Sequence, residues 1–574
     1  MTSSIEHRPW LSSYAPGVAH DITVPDEPLT ASLERAAERF PDRPALDFMG
    51  STTTYAELLD QVRRAASALL DLGVGPGDRV AIALPNLASH VVAFYATLRI
   101  GAVVVEHNPT YTAGELAHQL TDSGAVVAIC WEHTAVRVLE VQAQTPVRTV
   151  IAVDMSRDLP TLKRLALSLP ISKAKALRAT MRAALPSGTT YWHELVSKAS
   201  PLPADHPYPE PEDLALLQYT GGTTGTPKGA MLTHRNLVAN VVQGTEWTGA
   251  ERESVEEDGH EVVYGVLPFF HAFGLMLCLT YAMRIGATLV LFPKFNVASV
   301  LATQKRLPGS FLPAVPPMLD RLSAAAKESG ADLTSFRYAI CGAMPIPLAT
   351  AEAWEEVTGG LAIEGYGMTE TSPVALGSPL SDQRRPGMLG LPFPSTDILV
   401  VDQDDPTKIL GSGERGELLI SGPQVFAGYW ERPEDTAESL VELQGKIWVR
   451  TGDVVVMHDG GFVQAVDRIK EMIITGGFKV FPSQVEDCLR TMPGVEDVAV
   501  VGLPGGDLGE KVVAALVLAR DATGVDLEAV RAWCEKNVAR YALPKQLVIM
   551  KDLPRSQIGK VLRRVVRDRV ISGT

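Results

Sequence analysis

The chain has 574 residues, 46% of them hydrophobic and 21% charged, which excludes a wholly disordered or fibrous protein. Its 52 basic and 67 acidic residues leave a formal charge of −15. That balance argues against a broad nucleic-acid footprint, because such a footprint needs a basic face. At roughly 150 residues per domain the length allows about four domain-sized units, and a core of that size needs no disulfide or metal staple. Five scattered cysteines (Cys130, Cys278, Cys341, Cys488, Cys534) form no C-x-x-C pair, as expected in a reducing compartment. MTSSIEHRPWLSSYAPG at the start lacks the apolar core of a secretory signal, and VISGT at the end carries no lipidation signal. The expected location is therefore the cytoplasm.

In chain order, DRVAIALPN (78–86) reads as a strand and the next stretch as a helix ending at Gly101. AVVVEHN is a second strand, TAGELAHQLTDSG a helix ending at Gly124, and AVVAICW a third strand. Continuous β-branched runs separated by helices predict parallel sheets covered on both faces. Residues 155–187 hold seven basic residues (Arg157, Lys163, Arg164, Lys173, Lys175, Arg178, Arg182) and one acid, Asp158. Leu and Ala interleave with them at helical spacing. The segment reads equally as a helix on an anionic membrane surface and as a solvated helical insertion.

Val262–Met283 contains 22 residues without a formal charge, long enough to span a bilayer. Pro268, His271 and two glycines interrupt it, so a buried strand, loop and helix is the better reading. The α/β rhythm returns at 287–295 and 310–322. From about 386 it gives way to two strand-like runs with turn residues between them, a small antiparallel unit. Within it, residues 411–416 match G-x-G-x-x-G, but ELLISG follows as a strand, whereas the dinucleotide fingerprint must open a helix. H-E-x-x-H and G-x-S-x-G do not occur, which removes zinc-protease and serine-hydrolase readings. A boundary near Arg468–Glu471 divides a large domain, 1–469, from a compact α/β domain, 470–574.

The strongest chemical signal is YTGGTTGTPKG, Tyr219–Gly229. Gly221, Gly222 and Gly225 allow tight turning and close backbone approach. Thr220, Thr223, Thr224 and Thr226 supply hydroxyls, and Lys228 a cation. Together these suit a polyphosphate. The Walker A pattern fails, because Pro227 precedes Lys228 and Gly229 follows it.

With this loop come, in order, LPFFHAFG (267–274), CGAMP (341–345), EGYGMTET (364–371), TGD (451–453), VDRIKEMIITGGFKV (466–480) and LPRSQIGKVLRR (553–564). The set resembles the adenylate-forming superfamily over nearly the whole chain. Within it, YGMTETSP, SQIGKVLRR and the early WLSSYAPGV look most like bacterial long-chain fatty acid–CoA ligases.

The resemblance implies a large domain of doubly wound, mostly parallel sheets with a small antiparallel β-barrel-like unit, then a small mobile α/β domain. It implies ATP, Mg²⁺ and coenzyme A, with a fatty acid as the acid substrate. Lys228, His271, Thr369, Glu370 and Lys560 are the implied catalytic group. Gly221, Gly222, Thr223, Thr224, Gly225 and Thr226 would cradle phosphate, and Thr220 and Glu370 would hold the metal. Gly342, Ala343, Gly365 and Tyr366 would face adenine, and Asp453 and Arg468 the ribose. Phe270, His271, Phe273, Leu275 and Gly367 would border the acyl chain. Gly476 and Gly477 would flank the pantetheine arm, with Lys470 at the hinge. A fatty acyl-AMP ligase serving a carrier protein, an aryl-acid CoA ligase, and a non-catalytic nucleotide- or acyl-binding protein stand as alternatives. The sequence leaves oligomeric state open, a homodimer included.

Overall fold

A computed structural model describes residues 8–220, 227–250, 260–475, 478–505, 509–520, 522, 524–535, 538–556 and 559–573. The early β-branched runs form Arg79–Ala83, Val103–Glu106 and Val127–Trp131. They lie in a seven-stranded sheet whose order is Thr190–Tyr191, Thr149–Val153, Val127–Trp131, Arg79–Ala83, Val103–Glu106, Leu214–Tyr219 and Gly229–Thr233. Every neighbouring pair is parallel except the last, where Gly229–Thr233 turns back on Leu214–Tyr219.

The connecting helices stop where the sequence places their punctuation. Thr112 and Glu115 form a reciprocal cap at the start of Ala113–Ser123, and Gly124 ends that helix at φ +64°, a left-handed conformation that glycine adopts without a Cβ clash. The helix Ala88–Arg99 is mostly apolar, and Ser89 through Arg99 are all buried. A helix of this kind belongs inside a core rather than on a surface.

A second sheet of nine strands has the order Leu391–Pro392, Val374–Gly377, Leu361–Gly367, Tyr338–Cys341, Phe311–Ala314, Val262–Gly265, Thr288–Leu291, Pro44–Phe48 and Ser51–Thr54. Its six central strands are parallel and its ends antiparallel. The uncharged stretch from Val262 is one of these strands, then a turn through Pro268 and His271, then helical turns that run to Ile285. Among the described residues no helix is long and apolar enough to cross a membrane.

The antiparallel unit is a five-stranded sheet of Asp397–Val401, Arg415–Ser421, Leu440–Leu443, Lys446–Met457 and Val463–Arg468. Gly416 lies inside a strand, so the G-x-G-x-x-G there opens no helix. After Arg468 come a short hairpin, Ile473–Thr475 with Phe478–Val480, and a three-stranded sheet, Val495–Pro504, Glu510–Leu518 and Gln546–Ile549. Helices Pro482–Arg490, Leu527–Cys534 and Arg563–Ser572 accompany them. This part has its own apolar core, in which Val485, Leu489, Val500, Leu516 and Val530 pack together. The observed class is the expected one: α/β with parallel sheets, an antiparallel half-barrel and a small α/β C-terminal piece.

The basic segment folds as a 3₁₀ turn, Met155–Asp158, and two helices, Thr161–Ser168 and Ser172–Met181. Leu162, Leu165, Leu169, Ile171 and Leu177 on this pair stand in solvent, Leu162 at 81% exposure.

Candidate active site

Four of the singled-out motifs begin at the carboxyl ends of parallel strands, where open α/β sheets gather ligands. Leu214–Tyr219 ends at Thr220, Val262–Gly265 leads to Phe269–Phe273, Tyr338–Cys341 to Gly342, and Leu361–Gly367 carries Tyr366. Gly221 to Thr226 lie outside the described residues. The two ends of that loop are clamped together: the Thr220 N–H donates to the Lys228 carbonyl at 2.9 Å. The Lys228 ammonium pairs with Asp435 and sits 5.1 Å from the centre of the Tyr429 ring. Tyr429 donates its hydroxyl to Glu370. Glu370 is buried, and burial raises its pKa; the Tyr429 hydrogen bond and, less strongly, Arg468 and Lys228 oppose that shift only in part.

The neighbouring strand ends come together through small residues. A Cβ added at Gly342 would lie 2.9 Å from the Phe273 ring and 3.2 Å from the Gly365 carbonyl. The expected adenine and acyl residues thus touch. Ala343 holds φ at +68°, a conformation of measurable cost for a residue with a Cβ, and such strain gathers at ligand sites. Gly367 admits no side chain, since a Cβ there would meet the Pro373 carbonyl at 1.8 Å. Thr369 and Glu370 follow in a 3₁₀ turn.

Asp453 and Arg468 are 15 residues apart in sequence but directly opposite on paired strands of the half-barrel. The Arg468 guanidinium contacts Asp453 at 2.8 Å, and the Tyr366 hydroxyl donates to the other oxygen at 2.5 Å. One carboxylate thus joins the residues expected at ribose and adenine.

Lys560 enters the same place from the far end of the chain. The residues that flank its loop are tied together: Ser556 N–H donates to the Lys560 carbonyl at 2.8 Å, and Arg555 braces the Gly559 carbonyl at 2.7 Å. Gly559 sits at φ +80°, and its added Cβ would be 3.4 Å from Met344, next to the Gly342–Ala343 turn. Burial and the nearby Arg468 lower the Lys560 pKa to about 8, against a smaller opposing pull from Asp453.

His271 accepts the Phe273 N–H on Nδ1 at 3.3 Å, which leaves Nε2 as the protonated nitrogen. Burial lowers its pKa to about 4, so the ring is neutral at pH 7. It can donate a hydrogen bond but is a poor proton store. Phe270 is held by Gln218, whose side-chain amide donates to the Phe270 carbonyl at 2.9 Å. Leu275 is buried and begins a π-helical turn, Leu275–Thr280, a local widening often found beside functional sites. Lys470 lies exposed in the 3₁₀ turn Ile469–Glu471 at the start of the small α/β piece. Gly476 and Gly477 lie outside the described residues.

Tyr429 and Asp435 escape sequence reasoning. Both follow FAG in FAGYWERPED, and Tyr429 bridges to Ala230 beside the phosphate loop. The adjacent Gly428–Tyr429–Trp430 followed by acids was the available signal.

No group of three or more His, Cys, Asp or Glu side chains that could cage a metal occurs among the described residues. The oxygens on offer are the buried Glu370 carboxylate and the Thr220 hydroxyl. A hard cation that takes most of its ligands from phosphate and water needs no more than this.

The paired ends of the glycine–threonine segment, adjoining strand ends and a lysine delivered from a C-terminal piece accord with a nucleotide-dependent α/β enzyme. The profile of the AMP-binding enzyme family matches residues 33–430, and that of its C-terminal domain matches residues 484–560. The chain belongs to the AMP-binding enzyme family. It is 36% identical to a long-chain-fatty-acid–CoA ligase of Salmonella typhimurium (strain LT2), covering 97% of this chain and 98% of the relative. It is 33% identical to one of Bacillus subtilis (strain 168), with 97% of each covered. Among solved structures, ATP-bound MatB from Rhodopseudomonas palustris matches with a TM-score of 0.79 at 28% identity, over 95% of this chain and 99% of that one.

Proposed function

We propose that this chain is an ATP-dependent, AMP-forming acid–thiol ligase that converts a medium- or long-chain fatty acid to its CoA thioester. The acid attacks the α-phosphate of ATP to give acyl-adenylate and pyrophosphate. The CoA thiol then attacks the acyl carbon to give acyl-CoA and AMP. The observation that supports this reading is Lys560, a buried cation that feels the charges of Arg468 and Asp453 and whose neighbour Gly559 lies beside Met344. A cation there can bridge two anions that would otherwise repel each other.

The other roles are those that the family resemblance implies. Asp453 and Arg468 take the ribose hydroxyls, and Tyr366 packs on adenine beside Gly342, Ala343 and Gly365. Lys228, Thr369 and the Gly221–Thr226 loop hold phosphate. Glu370 and Thr220 would hold Mg²⁺, which would supply neutralisation of phosphate oxygens. Neutral His271 orients the acyl carboxylate by donation from Nε2, and Phe270, Phe273, Leu275 and Gly367 border the acyl chain.

Lys470 serves as the hinge between 1–469 and 470–574. Contacts that cross that divide and must break on rotation include the exposed Lys479–Asp404 pair at 3.0 Å, of a kind worth about 0–1 kcal/mol, and the Ser483 N–H donated to the buried Asp467 carboxylate at 2.8 Å. Rotation withdraws Lys560 and brings Gly476 and Gly477 to the thiol arm.

AMP release should be measured with acids from acetate to oleate, and with benzoate, each with and without CoA. CoA-dependent turnover that peaks at a long chain is expected. A peak at benzoate, or pyrophosphate exchange without CoA-dependent AMP, would replace the reading with an aryl ligase or a carrier-loading enzyme.

Lys560 acts as a cation, so kcat/KM for the acid should fall as pH rises through about 8, the range in which the free-enzyme group loses its proton. Lys560→Arg, which stays protonated, should abolish that limb. An unchanged limb in the variant would assign it elsewhere.

The basic helices 155–187 place the enzyme peripherally on an anionic membrane, with exposed leucines at the interface and lysines at the headgroups. Charge reversal of Lys163, Arg164, Lys173 and Lys175 should weaken binding to anionic vesicles by at least tenfold, since each basic residue near such a surface is worth about 1 kcal/mol. Unchanged sedimentation with vesicles would remove the membrane role.

A further inference from the structure

Behind the two basic helices lies a cavity of about 380 Å³, remote in sequence from the active-site motifs and lined by four arginines, Arg157, Arg164, Arg178 and Arg182. Two of these are already neutralised. Arg182 contacts Glu132 at 3.0 Å and Asp154 at 3.2 Å, and Arg157 lies 3.9 Å from Asp154. The other carboxylate in the lining, Glu194, is 61% exposed and lies 3.7 Å from Lys198. His193 also faces the cavity and is held by Asp158 at 2.9 Å.

Arg164 and Arg178 differ from the rest. Neither has a carboxylate within ion-pair distance among the described residues. Arg178 donates to the Leu167 carbonyl at 3.2 Å, clipping one helix to the other. Both are half-buried, whereas Lys163, Lys173 and Lys175 on the same helices are exposed. Two guanidiniums therefore face a partly enclosed space with their charge uncompensated, in a protein whose net charge is −15.

We infer that this cavity binds the phosphodiester headgroup of an anionic phospholipid, with Arg164 and Arg178 as its forks. Guanidinium is planar and meets phosphate oxygens in pairs, where ammonium acts only as a point charge. The cavity thus adds recognition of phosphate to the diffuse attraction of the exposed lysines. The apolar side chains of the same helices select a lipid over a free phosphate ester. Leu162, Leu165, Leu169, Ile171 and Leu177 are 48–81% exposed, a cost in water that acyl chains around the headgroup remove. The inference rests on the peripheral membrane reading given above.

The test compares binding of the full-length protein to two vesicle types of matched surface charge. Both are phosphatidylcholine, one doped with phosphatidylglycerol and the other with cholesteryl hemisuccinate, a carboxylate. Wild type should bind the phosphatidylglycerol vesicles about tenfold more tightly, because a phosphodiester without a tethered cation offers its oxygens to both guanidiniums at once, whereas the planar hemisuccinate carboxylate fills one fork and each phosphatidylcholine phosphate is offset by its own choline. Arg164→Gln/Arg178→Gln should erase that preference, with an unchanged melting curve to show that the helices remain folded. Lys163→Gln/Lys173→Gln/Lys175→Gln should weaken binding to both vesicles and keep the preference. A wild type without preference, or a double arginine variant that keeps it, overturns the inference while the membrane reading stands. Wild type that binds neither vesicle overturns both. In that case sn-glycerol 3-phosphate binding that the arginine pair abolishes would reassign the cavity to a free phosphate ester.

Discussion

Lys560→Ala should lower the rate of acyl-adenylate formation by roughly 10²–10³, the usual loss when one preorganised charge donor is removed from a closed site. CoA-dependent consumption of preformed acyl-adenylate should stay within a few-fold of wild type. The asymmetry follows from where the lysine sits. Its pKa of about 8 reflects burial beside Arg468, an environment that costs energy until anionic substrates arrive. The lysine is held there by a loop with its own support: Arg555 ties the Gly559 carbonyl and contacts Asp497 at 2.5 Å. Pyrophosphate exchange measures the first half-reaction alone. Equal losses in both half-reactions would mean that Lys560 shapes the site rather than serving adenylation.

Glu370→Gln should cost about 100-fold in ATP-dependent turnover, the equivalent of roughly 3 kcal/mol of charge stabilisation at the metal, and should raise the Mg²⁺ concentration needed for half-activity. The same substitution should leave the protein as stable as wild type at pH 7, or more so. Burial raises the Glu370 pKa, so its ionised form strains the fold at neutral pH, and an uncharged amide removes that strain. Glutamine can still accept from Tyr429. A fall in both activity and melting temperature would assign Glu370 a structural role through Tyr429 instead.

Much of the site was legible because chemistry concentrates at strand ends. Glycines and threonines after LALLQ, YGMTE after LAIEG and CGAMP after FRYAI each combine a β-branched or apolar run with residues that turn sharply. Helix ends were equally readable: Gly124 and Gly101 stop helices because left-handed backbone there needs no Cβ. The uncharged 262–283 stretch resolved as the interruptions at Pro268 and His271 require. Tertiary pairing stayed hidden. Nothing local reveals that Asp453 faces Arg468 across a hairpin, that Tyr429 reaches Glu370, or that Met344 meets Gly559. The strand Gln546–Ile549 also went unread, because its sequence, QLVI, is too short to separate from a loop before its parallel partner Glu510–Leu518 is in place.

On the proposed function, one active site couples ATP cleavage at the α-phosphate to thioester formation. The most direct test is a product balance with palmitate, Mg·ATP and CoA. Over many turnovers AMP, pyrophosphate and palmitoyl-CoA should appear in equal amounts, and sustained release of each should require all three substrates. ADP as the nucleotide product, or AMP formed without thioester while CoA is present, would contradict it.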